Sequence, residues 1–174
     1  MGKGKTEELD FIIDKLTNSI ELVTTGKSFD TIVTRLSWED RKQVKNKEWQ
    51  FKWHEELKQK DNEVYKLTTV DNPAVIHGLL SITEKSDHMF MNLIENAKFN
   101  KGRNKIFEGV AANLVAYSCK CSFERGLDGF LAFDAKTVLI KHYEETLKAQ
   151  HFGGRRMIIY PQAALKLVNQ YFKK

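Results

Sequence analysis

The chain has 174 residues, with 28 lysines and arginines against 23 aspartates and glutamates, a formal net charge of +5. Apolar residues make up 41% and charged residues 29%, with 2 prolines and 10 glycines. That balance excludes collagen-like, low-complexity and largely disordered classes, and the length is that of one domain able to bury a core without metal or disulfide staples.

No apolar run reaches the roughly 20 residues that a membrane span needs. The N-terminal Met-Gly-Lys-Gly-Lys-Thr lacks the apolar stretch of a secretory signal. Cys119 and Cys121, one residue apart in a helical-looking stretch, are poorly placed to bond each other and are read as reduced. A cytoplasmic, membrane-free protein is expected. Gly2 and Thr6 satisfy the loose Met-Gly-x-x-x-Ser/Thr myristoylation pattern, with Lys3 and Lys5 as a second anchoring signal, but so short a match does not separate lipidation from a solvated terminus.

In chain order, Thr6 as a cap, Glu7 and Glu8 in a first turn, and Leu9, Ile12, Ile13 and Leu16 at helical spacing predict a short amphipathic helix. Enrichment in Ile, Val and Thr over 19–25 and 30–36, with the turn pair Gly26-Lys27 between them, predicts two paired strands. Ser37 with Asp40 marks a helix start running towards Asn46, after which Trp49, Phe51 and Trp53 alternate with polar neighbours as in a half-buried strand. Three strand-like runs at 64–70, 74–82 and 88–95 are separated by Asp71-Asn72-Pro73 and Glu84-Lys85-Ser86-Asp87, which predicts an antiparallel meander. Val110, Leu114, Tyr117 and Cys121 then form a helical stripe widened by Ala111 and Val115, ending near Gly126. Residues 129–134 read as a short buried strand, and Leu139, Tyr143 and Leu147 share one face of a second helix. Gly153-Gly154 is a turn, 156–160 another strand, and Ala164, Leu167, Val168 and Tyr171 a closing helix.

Several chemistries fail on spacing. The glycine that a phosphate-binding P-loop requires five positions before Gly26 is Glu21; no Gly-x-Gly-x-x-Gly follows a strand, and no Gly-x-Ser-x-Gly turn exists. The histidines at 54, 77, 88, 142 and 151 show no zinc-type pairing with the cysteines, so no metal is expected. What remains is the loop between Asn96 and Phe107, which carries Lys98, Lys101, Arg103 and Lys105 and no acidic residue, ahead of Glu108-Gly109-Val110-Ala111-Ala112. A helix N-terminus offers unpaired N–H groups and a partial positive charge, and the small residues would let a pyrophosphate approach the backbone. A solvated basic loop fits the same composition equally well.

The order of strand 89–95, loop, Gly-x-Ala helix 109–126, strand 129–134, a helix containing His142-Tyr143-Glu144, and strand 156–160 resembles the acyl-CoA-binding half of the GNAT N-acetyltransferases. The preceding meander fits that family's central strands, so the resemblance covers about 63–160. It implies an α/β, more strictly α+β, fold: a central mixed, mostly antiparallel sheet flanked by helices. One domain is expected, with 1–62 a variable substrate-side segment, 63–160 the acyl-CoA-binding core and 161–174 the closing helix. The family's coenzyme motif, Arg/Gln-x-x-Gly-x-Gly/Ala, would here be Ile106-Phe107-Glu108-Gly109-Val110-Ala111, with Ile106 a departure that Arg103, Asn104 or Lys105 would make good.

The implied activity is transfer of an acetyl group from acetyl-CoA, as co-substrate, to a primary amine by direct attack. Gly109, Val110, Ala111 and Ala112 would receive the pyrophosphate. The backbone of Leu93 and Ile94 would bind the pantetheine arm, and Lys136, where many relatives have asparagine, would reach a phosphate or stay solvated. The resemblance gives Tyr143 the task of protonating the departing thiolate; the bland alternative is a core tyrosine. A lysine-type amine has a reference pKa near about 10.4 and must lose a proton before attack, so Glu95 is the candidate base and His77 the reserve; the alternative for Glu95 is a sheet-edge carboxylate paired with a lysine. The acceptor, a small molecule or a protein, is left open. Two other functions compete: an inactive acyl-CoA-binding protein, kept alive by Ile106, and a basic nucleic-acid- or protein-binding module suggested by Trp49, Lys52 and Trp53. Glu48, Glu55 and Glu56 surround that cluster and disfavour nucleic acid. The elements after Gly154 suit either a monomer's core or a homodimer interface.

Overall fold

The computed structural model describes residues 7–172, so the Thr6 cap and the myristoylation pattern with Lys3 and Lys5 lie outside the described residues. The elements are β1 (Ile20–Leu22), β2 (Ser28–Phe29), β3 (Thr31–Leu36), two 3-10 turns (Trp38–Gln43 and Asn46–Glu48), α1 (Trp53–Lys58), β4 (Glu63–Thr69), β5 (Gly78–Glu84) and β6 (Met89–Asn96). A 3-10 turn (Lys98–Asn100) leads to β7 (Phe107–Glu108) and α2 (Val110–Glu124), then β8 (Leu131–Asp134), another 3-10 turn (Thr137–Leu139), α3 (Ile140–Thr146), β9 (Gln150–His151), β10 (Arg156–Ile159) and α4 (Pro161–Phe172).

The main sheet has the order β3-β4-β5-β6-β8-β10-β9, with every pair antiparallel except β6 and β8, which run parallel. A smaller sheet runs β2-β1-β7. Strands β5 and β6 are buried along nearly their whole length, which is why they read as almost continuous apolar runs rather than as alternation. Helix α2 covers this region and packs against α4. It comes close because Gly78 has no side chain: a Cβ there would lie 2.8 Å from Val110 Cγ1 and 3.0 Å from Leu114 Cδ1. No helix among the described residues is long and apolar enough to cross a membrane.

The junction of β6 and β8 frames the candidate site. The two strands pair only at Met89↔Leu131 and Phe90↔Ala132. Immediately beyond, β6 carries a bulge: Ile82 pairs with Met91 but Ser81 with Leu93, leaving Asn92 as the extra residue. Its Nδ2 donates to Ser81 Oγ and Thr83 Oγ1, which fixes the bulge. A bulge sharpens local twist, and here it accompanies the parting of β6 from β8.

Three sequence expectations fail in the N-terminal third. Residues 9–16 are extended, not helical: Leu9, Phe11 and Ile13 are buried while Asp10 and Ile12 are exposed, a period of two. Tertiary partners decide this, since Leu9 N–H donates to Asp134 O and Leu9 O accepts from Lys136 N–H. Strand β3 pairs with β4 rather than with the 19–25 run, and β1 pairs with β2 and β7. Trp49, Phe51 and Trp53 do not form a strand; Trp53 opens α1 and is fully buried. The meander, α2, the 129–134 strand, α3, β10 and α4 stand where the periodicity put them, with ends moved by a few residues.

Candidate active site

The gap between the parted strands contains the protein's own N-terminal segment. Alternate peptide groups of a strand point to opposite edges. On β8, Ala135 N–H donates to Arg155 O on the β10 side, so Asp134 O and Lys136 N–H, which bond Leu9, face the side that β6 has left. From Leu9 the segment, hereafter the strap, runs past α3 to the start of α2. The Tyr143 hydroxyl donates to Phe11 O at 2.6 Å, and the Phe11 ring stacks on Tyr143 with centroids 4.6 Å apart. Ile13 N–H donates to His142 Nε2 at 3.0 Å, which requires that nitrogen to be unprotonated. The Asp14 carboxylate accepts from Gly109 N–H and from Lys105 Nζ, both at 3.1 Å.

Gly109 is the residue before α2 and has φ of 92°, a left-handed conformation that glycine adopts without strain. A Cβ on it would also lie 2.5 Å from Thr17 Oγ1. Asp14 therefore supplies an anion where a helix start favours one: at an unpaired N–H, at the positive end of the dipole and beside a lysine.

The predicted coenzyme residues, and with them the predicted acid Tyr143, divide. Lys105, Gly109, Lys136 and Tyr143 all lie along the strap and all are engaged by it, Lys136 through its Nζ to Asp10 at 2.9 Å as well as its backbone. Val110, Ala111 and Ala112 form the buried first turn of α2. Leu93 and Ile94 lie on β6 just past the bulge. Arg103 and Asn104 are exposed at the turn of the basic loop and do not line the cavity described below. Ile106 is also exposed, while Phe107 and Glu108 of the motif form β7. Tyr143 is fully buried, and desolvation pushes its phenol well above the usual range, so it keeps its proton.

Glu95 is bound on every side. Its Oε1 accepts from Phe51 N–H (3.1 Å) and Trp53 Nε1–H (2.8 Å), and its Oε2 from Gln50 N–H (2.7 Å) and Lys101 Nζ (3.0 Å). An ionised carboxylate offers about four lone-pair positions, and all are taken. The carboxylate thus clamps the loop before α1 onto β6. His77, the reserve base, is packed against Phe99 and Phe107 and hydrogen-bonded to Asn100, and burial lowers its pKa to about 4.

Between the strap and β6 lies a cavity of about 420 Å³, lined by strap residues such as Phe11 and Asp14, by Ile94, Glu95 and Asn96 of β6, and by Lys101 and Lys105 of the basic loop. Asn96 Oδ1 is buried with no hydrogen-bond partner among the described residues. No group of three or more potential metal ligands occurs among the described residues. The strap partners Asp10, Phe11 and Asp14, and the Gln50, Phe51 and Trp53 donors to Glu95, were missed from sequence. Only the alternation of Leu9, Phe11 and Ile13 signalled the strap, and the equally good helical spacing hid it.

No protein-family model matches the sequence, and no curated protein matches it. Solved structures do match. A tyrosine-to-phenylalanine mutant of the toxin AtaT, bound to the C-terminus of the antitoxin AtaR, superposes with a TM-score of 0.57 at 13% identity, over 83% of this chain and 99% of that one. A structure described as a bacterial toxin gives 0.54 at 9% identity, over 84% and 99%. The chain has the GNAT N-acetyltransferase fold. A tyrosine-to-phenylalanine mutant of KacT matches this GNAT fold as well, with a TM-score of 0.52 at 10% identity, over 79% and 99%. Identity this low transfers the GNAT architecture and no substrate.

Proposed function

We propose that the chain is an acetyl-CoA-dependent N-acyltransferase that moves an acetyl group to a primary amine. The observation that carries this reading is the parting of β6 from β8 after two residue pairs, with Tyr143 beside the gap and the start of α2, Lys101 and Lys105 around it. The residues fit the coenzyme in chemistry. Gly109 N–H and Lys105 already hold one carboxylate and suit a phosphate. Asn96, whose Oδ1 is buried with no partner among the described residues, also lines the cavity.

In the reaction, the neutral amine attacks the thioester carbon, the carbon–sulfur bond breaks, and the proton-retaining phenol of Tyr143 protonates the leaving sulfur. The amine's own proton passes to water, because Glu95 has no lone pair to spare, and water returns a proton to the Tyr143 phenolate; Glu95 serves by fixing the wall beside the cavity. The occupied gap favours a second reading, a coenzyme-binding protein without turnover. Titration calorimetry with acetyl-CoA, coenzyme A and dephospho-coenzyme A tests binding, and acetylation of a panel of amines tests turnover. Stoichiometric binding weakened by loss of the 3′-phosphate supports the coenzyme site; no binding to the folded parent or to strap-loosened variants refutes it.

A further inference from the structure

Four of the residues proposed for the reaction, Lys105, Gly109, Lys136 and Tyr143, also hold the strap. Tyr143 donates to Phe11 O, Gly109 N–H and Lys105 bind the Asp14 carboxylate, and Lys136 binds Asp10. The free edge of β8 is taken by Leu9 through Asp134 O and Lys136 N–H. This is one continuous set of contacts, from the strand edge through the tyrosine to the helix start, and it follows a single extended stretch of chain. The chemistry also matches in order: an extended main chain with amide groups first, an anion at the helix start last. Two groups cannot accept the same phenol proton or the same Gly109 N–H without sharing it.

Resting on the acyltransferase reading above, we infer that residues 9–14 are an internal competitor of acyl-CoA, with their main chain in the track of the pantetheine arm and the Asp14 carboxylate in the place of the diphosphate. The slot is thus a recognition site for an extended peptide ending in an acidic residue, and this chain supplies that peptide itself. Coenzyme binding then requires the strap to leave, and the apparent affinity is reduced by the fraction of molecules in which the strap is docked. Departure would also uncover Tyr143, because Phe11 is the ring stacked on it.

The experiment measures acetyl-CoA affinity of the full chain and of Asp14→Ala and Leu9→Pro variants by calorimetry, together with amide hydrogen exchange of the strap with and without saturating acetyl-CoA. Asp14→Ala removes the anion from Gly109 and Lys105; Leu9→Pro removes the N–H that bonds Asp134 O. If the strap competes, each variant binds acetyl-CoA about 10-fold more tightly than the parent, since losing a charge-assisted contact shifts the docked population by about that factor. The amides of Leu9 and Ile13, protected in the free parent, lose protection when acetyl-CoA is added. Should Leu9→Pro fail to fold, Asp14→Ala, at a partly exposed position, and the exchange measurement on the parent still decide. Acetyl-CoA binding with unchanged strap protection and no tightening in Asp14→Ala would overturn the competition while leaving the acyltransferase reading intact, the strap then being a fixed wall of the site. Failure of every variant and the parent to bind would sink both.

Discussion

Glu95→Gln separates a structural clamp from a catalytic base. The native carboxylate receives two donors on each oxygen, from Phe51 and Trp53 on one and from Gln50 and Lys101 on the other. In glutamine one oxygen becomes an NH₂ group that cannot accept, so whichever way the amide is turned, two donors face a third. Breaking a buried charge pair by removing one partner costs about 3–5 kcal/mol, and hydrogen bonds to charged groups contribute about 1.5–3 kcal/mol each. Lys101 is partly exposed and regains water, which selects the lower end, about 3 kcal/mol. For a domain of this size that lowers the melting temperature by roughly 6–12 °C. Urea unfolding at neutral pH, followed by tryptophan fluorescence, reads it directly because Trp49 and Trp53 flank the clamp. A loss below about 1 kcal/mol at unchanged m-value would refute the clamp.

Other substitutions test neighbouring parts. Gly109→Ala combines left-handed backbone strain with a Cβ 2.5 Å from Thr17 Oγ1 and should destabilise by about 2–4 kcal/mol in thermal unfolding. Tyr143→Phe should lower kcat about 10-fold or more without weakening acetyl-CoA binding, because it also removes the bond to Phe11 O; equal turnover would remove Tyr143 from the chemistry. His77 stays neutral in the folded chain down to about 4, while the unfolded imidazole takes up its proton near 6.5, so stability falls as pH drops between those values; His77→Gln should flatten that part of the curve in urea titrations across pH. Glu63, hydrogen-bonded to Arg125, is held below its ordinary 4.5, so its contribution is present above that pH and fades as pH falls through the lowered value; Arg125→Met should remove this dependence, seen by comparing acid unfolding of the two proteins.

The C-terminal two thirds of the fold was legible because its elements are bounded by strong turn signals and its helices carry long apolar stripes. Asp71-Asn72-Pro73 and Gly153-Gly154 each separate elements as read, and Val110, Leu114 and Cys121 are buried on α2 as their spacing required. The N-terminal third was not, since partners more than a hundred residues away decide its conformation. Leu9, Ile12, Ile13 and Leu16 fit a helix locally, and only bonds to Asp134, Lys136, Tyr143 and His142 make the segment extended. Gly109, Lys105 and Tyr143 were singled out from sequence, and the structure sets all three along the strap. What they hold was invisible, because an aspartate at position 14 carries no mark of the helix start it caps. The pairing of Glu95 with a lysine was weighed from sequence, but its three other donors, Gln50, Phe51 and Trp53, belong to a stretch read as a strand that instead leads into α1.

The strap also fixes an order of events in time. The meander β4-β5-β6 closes through neighbours in the chain and can form early. The strap's bonds join Leu9 to Asp134 and Ile13 to His142, the second a separation of 129 residues, so they form only after those distant residues are available. A segment made before the meander is thus fastened after it. Until then the edge of β8 and the start of α2 lack the partners that the strap gives them, and a coenzyme bound as we propose would compete with the strap for those groups during refolding.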